Sequence, residues 1–353
     1  MENDSRNIDA VSVYGRQGAS TRVRLYDWFD HLALAPRVHN YAGNADNQPG
    51  TLLRFLPTVL AAEVKLRSLV SELSDSTLII SKQASPFSSG HLEERLLTAA
   101  AHSVYDFDDA LYAQDNVRRT SSMWSKRDVW LRAIRAADVV LAGSEWLAEE
   151  AEKHVSNVTI VPSCVEPDEY EQKTDFKSVE VPSAVWIGSP AGENFLLAIE
   201  QPLLDLNRKF GLRLTIVGGM VERLGQLEKI IDRQPWDLET FGVQLAKADL
   251  GIMPLPDNEF TRGKCSYKLL QYGAAGIPMV GSAVGANVAA LANLGGLAAE
   301  NSDDWYSAIA SILETDAANR AKLGATARQG AVKYYSFQAW APVWSRQLGL
   351  DAY

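Results

Sequence analysis

Two lysines flank the start of a predicted helix in the stretch 254–287. A polar loop, NEFTRGKCS, leads into the apolar-periodic run YKLLQYGAA, and a stop at Gly276 and a short hydrophobic run, IPMVGS, follow. This order predicts loop, helix and strand, with Lys264 and Lys268 beside the helix N-terminus. Helix N-termini present free N–H groups and partial positive charge, which suit phosphates. The stretch therefore predicts a diphosphate subsite; the alternative is an ordinary αβ unit whose lysines face solvent.

Three carboxylates close the predicted strand in HSVYDFDDALY (102–112), namely Asp106, Asp108 and Asp109. The carboxyl ends of parallel strands are where α/β proteins bind ligands. Because clustered carboxylates repel one another, we expect at least one to have a shifted pKa or a hydrogen-bond partner. Such a cluster suits a divalent-metal site. Capping of the following helix is the simpler alternative.

The same cluster is similar to two other motifs. Haloacid-dehalogenase-like phosphatases end a strand in D-x-D, which makes a Mg-dependent phosphatase using Asp106 and Asp108 an alternative function. Against it, Asp109 stands where Thr or Val is expected. The D-D-x-x-D motif of prenyl synthases is not completed at the required spacing, and the chain does not read as all-helical.

A glycine-containing turn follows the first predicted strand. The sequence GRQGASTRVRLYDWF combines Gly18 in the turn, Ser20 and Thr21 as possible helix caps, and a helix-like run. This combination is typical of the loop–helix start of a Rossmann-type unit. The glycines do not fit the G-x-G-x-x-G spacing, so a dinucleotide site is not indicated. Arg22 and Arg24 are candidates to meet a phosphate or an acidic acceptor; the alternative is exposed arginines on a helix face.

Length, charge and cysteine content narrow the class of protein. At 353 residues the chain is too long for one typical core, so two domains are expected. A net charge of −10 does not favour coating of nucleic acid or a polybasic membrane patch. No apolar run reaches the length of a spanning helix, and MENDSRN is unlike a signal peptide. Cys164 and Cys265 suggest no disulfide framework, so we expect a reduced, cytoplasmic protein that binds no nucleic acid.

Strand-like and helix-like segments alternate along the chain and predict an α/β fold. Strands are predicted in STLIIS (76–81), ADVVLAG (137–143), AVWIGSP (184–190) and LRLTIVGG (212–219). Helices are predicted at 52–72, with a boundary near Pro57, at 220–232 and at 302–329, and Ser144 is the expected N-cap of another. The stretch 35–50, which contains His39, is predicted to be a loop.

The string GKCSYKLLQYGAAGIPMVGSAVGAN resembles the donor-site segment of family-four glycosyltransferases of the GT-B fold. In the commoner version of that segment two glutamates stand eight positions apart, and here Gly263 and Gln271 occupy those positions. An amide in place of a carboxylate keeps hydrogen bonding to a ribose but loses the charge. The resemblance covers nearly the whole chain and is strongest at 184–190 and 249–287.

The resemblance implies an α/β fold of the GT-B class, with two Rossmann-like domains that face each other across a cleft. The N-terminal acceptor domain is expected at 1–171 and the C-terminal nucleotide-sugar donor domain at 172–335. Residues 336–353 are expected to form a helix that packs back on the N-domain, with Trp340 and Trp344 in its core.

The resemblance also implies roles for individual residues. The backbone of residues 265–267 would face the donor diphosphate, Gln271 the ribose, and Trp236 the nucleobase. Many family members carry an Arg and a Lys near the start of the donor domain, and neither lies between Ser189 and Gln201 here. The nearest candidates to supply the charge are Lys264, Lys268 and Arg262. The expected donor-binding residues are Gly188, Ser189, Gly218, Gly219, Trp236, Arg262, Gly263, Cys265, Ser266, Tyr267 and Gln271. The expected acceptor or cleft residues are Gly18, Ser20, Arg22 and His39, and the expected catalytic residues are Asp106, Asp109, Lys264 and Lys268.

The activity that the resemblance implies is transfer of a sugar, with retention of configuration and without metal or cofactor, from a nucleotide-diphosphate sugar to an acceptor hydroxyl or amine. A UDP- or dTDP-sugar is the expected donor, and a small natural product or a glycan the expected acceptor. The competing hypotheses are a non-catalytic or epimerase-like nucleotide-sugar-binding protein, which the loss of both glutamates favours, and the Mg-dependent phosphatase.

Overall fold

Two parallel β-sheets organise the chain, and each belongs to its own compact unit. The computed structural model describes residues 7–41, 49–113, 125–177, 179–218, 224–238 and 240–350. The first unit comprises Met1–Ser163, Gly263–Cys265 and Trp340–Tyr353, and the second comprises Cys164–Arg262 and Ser266–Ala339. The predicted α/β fold class is confirmed.

The first sheet has the strand order β2-β1-β3-β4-β5-β6, and all its strand pairs are parallel. Its strands are β1 (Asn7–Ser12), β2 (Arg37–Asn40), β3 (Ser76–Ser81), β4 (His102–Phe107), β5 (Val139–Ala142) and β6 (Val158–Ile160). The direction of strand addition reverses between β1 and β3. At such a reversal the connecting loops diverge and leave a crevice outside the carboxyl ends of the strands.

The helices of the first unit follow its strands in the usual alternation. The first runs through residues 19–31 and has a π-helical middle, Arg22–Tyr26, between Ala19–Thr21 and Asp27–His31. The others are Pro49–Arg54, Leu56–Leu69, His91–Ala99, Lys126–Ala136 and Glu145–Glu152, with a 3₁₀ turn at Leu111–Ala113. The Ser144 side chain accepts a hydrogen bond from the Leu147 N–H, so the predicted N-cap is confirmed.

The second sheet has the order β12-β11-β10-β7-β8-β9 and is also parallel throughout. Its strands are β7 (Ser183–Ile187), β8 (Arg213–Val217), β9 (Ile231–Gln234), β10 (Leu250–Met253), β11 (Met279–Ser282) and β12 (Leu297–Ala299). Counted from β7, this is the 3-2-1-4-5-6 order of a Rossmann fold, with its reversal between β7 and β10. The residues that follow these two strands are therefore the ones positioned to meet a ligand.

The helices of the second unit begin with a short turn, Pro190–Glu193, which continues through the 3₁₀ segment Asn194–Ile199 into Glu200–Phe210. The others are Phe241–Lys247, Glu259–Arg262, Tyr267–Ala274, Asn287–Leu294, Ser302–Glu314 and Ala317–Tyr335, with 3₁₀ turns at Pro167–Glu169 and Gly225–Lys229. The last helix of the chain, Phe337–Gln347, passes from the second unit into the first. Trp344 there is buried and stacks on Trp28, with ring centroids 5.1 Å apart.

Three local predictions were wrong. The stretch predicted as a loop at 35–50 contains the edge strand β2, whose polar residues lack a hydrophobic alternation. The helix predicted at 220–232 is not present in its described part, which forms a 3₁₀ turn and then β9. Ser20 and Thr21 are not helix caps, because the N-cap is Gly18 and no side chain caps it.

In the part of the chain that the structure describes, no helix is both long and apolar enough to cross a membrane.

Candidate functional site

Lys82 organises the charges at the carboxyl end of the first sheet. It is the first residue after β3, and its backbone adopts the left-handed conformation, with φ of 62°. Its ammonium nitrogen lies 2.7 Å from Asp108 Oδ1 and 2.5 Å from Asp109 Oδ2. Lys264 Nζ lies 3.7 Å from the other oxygen of Asp109. The two lysines and two aspartates therefore form one charge-balanced network.

The pKa values of this network follow from its burial and its charges. Burial alone would lower the pKa of Lys82, but the charges of Asp108 and Asp109 outweigh it and raise that pKa. Burial would raise the pKa of Asp109, but Lys82 and Lys264 outweigh it and lower that pKa. Ser20 Oγ donates to both oxygens of Asp108, at 2.7 and 2.9 Å. Lys82 is therefore held protonated and Asp109 ionised, and Ser20 belongs to the network as a hydrogen-bond donor.

Asp106 is placed differently from the contact residue that the sequence predicted. Its side chain is 0% exposed, and Arg24 Nε donates to both of its oxygens at 3.1 Å. Burial raises the pKa of Asp106 and Arg24 opposes that rise. Arg24 Nη1 also donates to the carbonyl of Val161, at 2.7 Å. Asp106 thus joins a buried structural pair and does not present its carboxylate to a ligand.

The segment Gly263–Cys265 packs against the residues that follow β4 and β5. Cys265 Sγ donates to the Asp108 carbonyl at 3.2 Å, and burial raises the pKa of this thiol. A Cβ on Gly143 would lie 2.5 Å from the same sulfur. A Cβ on Gly263 would lie 2.5 Å from that of Ala110, so this position has no room for a glutamate side chain. The packing around Gly263 therefore excludes the glutamate of the common motif.

The predicted diphosphate subsite lies in the second unit, at the start of the helix Tyr267–Ala274. Its N-cap, Ser266, has a left-handed backbone with φ of 55°, and it is 2% exposed. The Ser266 hydroxyl is a buried polar atom with no hydrogen-bond partner among the residues that the structure describes. A buried donor without a partner costs free energy unless a ligand satisfies it. Ser266 therefore leaves one unsatisfied donor at this helix N-terminus.

Lys268 and two glycines converge on this subsite. Lys268 Nζ lies 5.2 Å from the ring centroid of Trp186, on β7. A Cβ on Gly188 would lie 2.7 Å from the Trp186 ring and 2.9 Å from Lys268 Cε, and a Cβ on Gly218 would lie 2.9 Å from the Gly188 carbonyl. The loops that follow β7 and β8 thus lie close to the start of the helix. Both loops require glycine, because a side chain at either position would collide with its neighbours. Ser189 occupies the N-cap position of the short helix that follows. The predicted residue Gly219 lies outside the described residues.

Two further predicted donor residues, Trp236 and Gln271, contact aromatic side chains. Trp236 is 40% exposed and stacks on Phe241, with ring centroids 6.1 Å apart. Gln271 is buried and its amide donates to the Tyr170 hydroxyl at 3.4 Å. Tyr170 also packs edge-on against Phe241. An aromatic patch thus lies beside the helix that begins at Ser266.

The structure does not bring the remaining predicted residues to these sites. Arg262 pairs with Asp257 at 2.5 Å, where it is largely exposed. Arg22 is buried and lies 3.8 Å from Asp27. His39 lies on β2, and its Nε2 is 2.9 Å from the buried carboxylate of Asp9. Gly18 starts the first helix, where a Cβ would lie 2.6 Å from that of Tyr14.

The sequence analysis missed Lys82, Trp186 and Tyr170. Lys82 could have been predicted as a site residue, because it directly follows a buried strand that neighbours the aspartate-bearing strand. Trp186 lies inside a predicted strand, so its position indicated a core residue. In the described part of the chain, no group of three or more His, Cys, Asp or Glu side chains is arranged to hold a metal ion. The three aspartates are instead directed at cations.

Comparison with solved structures extends these observations. Anabaena HepE, in complex with UDP and glucose, superposes with a TM-score of 0.70 at 14% identity, over 98% of this chain and 99% of that one. WaaG, a glycosyltransferase involved in lipopolysaccharide biosynthesis, superposes with a TM-score of 0.65 at 13% identity, over 97% and 100%. TarM superposes with a TM-score of 0.60 at 14% identity. The match covers 81% of this chain but only 57% of the length of TarM.

No protein-family model matches the chain, and no curated protein matches it. At these identities the superpositions establish the fold. The two parallel six-stranded sheets indicate the same fold as the match of nearly the whole chain to HepE and WaaG. The chain has the GT-B fold.

Proposed function

We propose that this protein is a glycosyltransferase that moves a sugar from a nucleoside-diphosphate sugar to an acceptor hydroxyl or amine. The observation that carries the proposal is the start of the helix Tyr267–Ala274. There a buried hydroxyl without a partner, the helix N–H groups and the Lys268 ammonium meet two side-chain-free loops, Gly188 and Gly218. This combination suits a diphosphate, since it offers positive charge and donors and lets the ligand approach the backbone.

UDP is the nucleotide that we propose. HepE, which matches the chain over nearly its full length, was solved with UDP and with UDP and glucose. The partly exposed ring of Trp236, beside Phe241, suits a flat base, which stacks on an aromatic ring. A dTDP donor would use the same features, so nucleotide selectivity is left to measurement.

The proposed chemistry needs few protein groups. The bond between the anomeric carbon and the diphosphate oxygen breaks, and its electron pair stays on the diphosphate. Lys268, Ser266 and the helix N–H groups stabilise that charge as it develops. The acceptor oxygen or nitrogen bonds to the anomeric carbon on the face that the diphosphate leaves, which retains configuration, and its proton passes to the departing phosphate. This scheme uses no metal and no general base from the protein.

Asp108 and Asp109 are the groups of the first unit that we assign to the acceptor. Lys82 pairs with both and holds them in place, so they can accept hydrogen bonds from hydroxyl or ammonium groups without being displaced. The acceptor is therefore proposed to be a polar molecule, a small natural product or a glycan. Asp106 supports this position through its pair with Arg24.

Release of UDP from UDP-sugars, with a panel of hydroxyl and amine acceptors, tests the proposal. We expect acceptor-dependent UDP release that is lost in Lys268→Ala and kept in Lys247→Ala, which changes an exposed lysine of the same unit.

One competing function has specific support, because neither motif glutamate is present and Gly263 has no room for one. A nucleotide-sugar-binding protein without transfer would bind the UDP-sugar and release no UDP under any condition.

A further inference from the structure

The helix Leu56–Leu69 is apolar on two faces, although it lies at the surface of the first unit. One face, with Val59, Leu66 and Leu69, is buried in the unit. The other carries Leu56, Leu60 and Val64 at a spacing of four residues, which places them on one exposed stripe. A helix that is apolar on all sides is normally buried on all sides. The exposed stripe therefore lacks a partner within the described part of the chain.

The preceding helix, Pro49–Arg54, extends this surface. Leu53 is 72% exposed, Leu60 56% and Val64 68%, and Phe55 is also exposed between the two helices. Phe87 adds another exposed ring on a loop that Ser85 ties to this helix by donating to Glu63. A contiguous patch of large exposed side chains of this kind marks an interaction surface.

The charges around the stripe have one sign. Arg54, Lys65 and Arg67 are exposed, and helical spacing places Lys65 and Arg67 on opposite sides of the stripe. The one carboxylate in residues 49–69, Glu63, is buried and pairs with Arg67 at 2.7 Å. Within residues 49–69 the structure thus shows exposed cations and no exposed carboxylate, in a chain whose net charge is −10.

We propose that residues 49–69 dock this protein onto an anionic lipid surface. The apolar stripe would lie at the level of the headgroups while the long basic side chains reach the lipid phosphates, which is the arrangement of interfacial helices. A second copy of the chain fits less well, because a two-fold contact would set these cations against the same cations of the other copy. The inference stands independently of the proposed function. If it holds, lipid-linked molecules are the first acceptors to screen.

Sedimentation of the full chain with vesicles tests the proposal. Vesicles of phosphatidylcholine mixed with phosphatidylglycerol should carry the protein down, and pure phosphatidylcholine should bind it at least about tenfold more weakly. Leu60→Asp should lower partitioning to the anionic vesicles about tenfold or more. Val288→Asp is the matched control, since Val288 is likewise 56% exposed but lies in the second unit, and its partitioning should not change. Lys65→Glu should reduce binding to the anionic vesicles alone.

Three outcomes would overturn the proposal. The wild-type chain would fail to sediment with anionic vesicles, or it would bind both vesicle types equally, or Leu60→Asp and Val288→Asp would behave alike. Analytical ultracentrifugation without vesicles provides the remaining check. A concentration-dependent dimer that Leu60→Asp abolishes would assign the surface to a second copy of the chain. Because all substituted side chains are exposed, circular dichroism should show the same fold in every variant.

Discussion

The carboxyl ends of the two sheets differ in how their polar groups are satisfied. In the first sheet, Asp106, Asp108 and Asp109 all pair with a protein cation, of which Arg24 is buried and Lys82 partly buried. In the second, the hydroxyl of Ser266 has no partner among the described residues, and a lysine lies over an aromatic ring. The same type of fold therefore carries one end that is internally neutralised and another that is prepared for an anion.

This contrast separates residues that hold the fold from residues that bind. Substitution in the first network should lower stability, because it leaves a buried charge without its partner. Removal of the Ser266 hydroxyl should lower ligand affinity and leave stability unchanged, because that hydroxyl has no hydrogen-bond partner among the described residues. The predictions below compare these two responses.

Arg24→Met should give the largest effect. It leaves the carboxylate of Asp106 buried and unpaired, and we expect a loss of about 3–5 kcal/mol in the free energy of unfolding. Urea denaturation measures it. Arg16→Met is the matched control, because Arg16 forms an exposed pair with Asp30 and its loss should cost at most about 1 kcal/mol. Equal costs for the two variants would refute the assignment of Arg24 and Asp106 to the fold.

Lys268→Ala should weaken UDP binding about tenfold, which is about 1.4 kcal/mol. Lys268 lies in the first turn of the helix Tyr267–Ala274, whose N-terminus we propose to bind the diphosphate. Calorimetric titration measures the affinity, with Lys247→Ala as the control in the same unit. Unchanged affinity in Lys268→Ala would remove this lysine from the site.

Ser266→Ala separates binding from stability most sharply. We expect UDP affinity to fall about fivefold, the equivalent of about 1 kcal/mol for one hydrogen bond, while the free energy of unfolding stays the same or rises. Ser282→Ala is the opposite case, because the buried Ser282 hydroxyl accepts from the Leu255 N–H at 2.9 Å. That variant should lose stability and keep its affinity. The reverse pattern would mean that Ser266 is structural.

Asp109→Asn should give the smallest effect, visible in the pH dependence of stability. Burial opposes ionisation of Asp109, but Lys82 and Lys264 hold its pKa below 3.8 in the folded state. A carboxylate with a lowered folded pKa contributes stability above its unfolded pKa, and that contribution is lost as the pH falls through the folded value. The variant should therefore show a flatter fall of Tm with acid below about pH 4, whereas the exposed control Asp75→Asn should follow the wild-type curve.

The sequence predicted the elements whose pattern is local. β3 and β11 are short apolar runs with clear stops, and Gly276 ends the helix before β11 with φ of 65°. Two of the four edge strands, β2 and β9, were missed because RVHN and IDRQ are polar and each pairs with a neighbouring strand on one side only. A short edge strand owes its existence to the neighbouring strand, which local pattern does not reveal.

The site was predicted in part for the same reason. The diphosphate position followed from one contiguous stretch around Ser266, and glycines 188 and 218 followed strands that could be read. The partner of Asp106 could not be predicted, because Arg24 is far away in sequence and reaches it through a π-helical segment. Nor could the packing of Gly263 against Ala110, which excludes the glutamate of the common motif.

A thermal-shift panel of UDP, dTDP, GDP and CDP, each with and without Mg²⁺, tests the central claim most directly. A ligand that binds only the folded state raises Tm by mass action. We expect UDP to give the largest rise, at the same size with and without Mg²⁺, and the rise to shrink in Lys268→Ala. No shift with any nucleotide, or a shift that requires Mg²⁺, would contradict the proposed donor site.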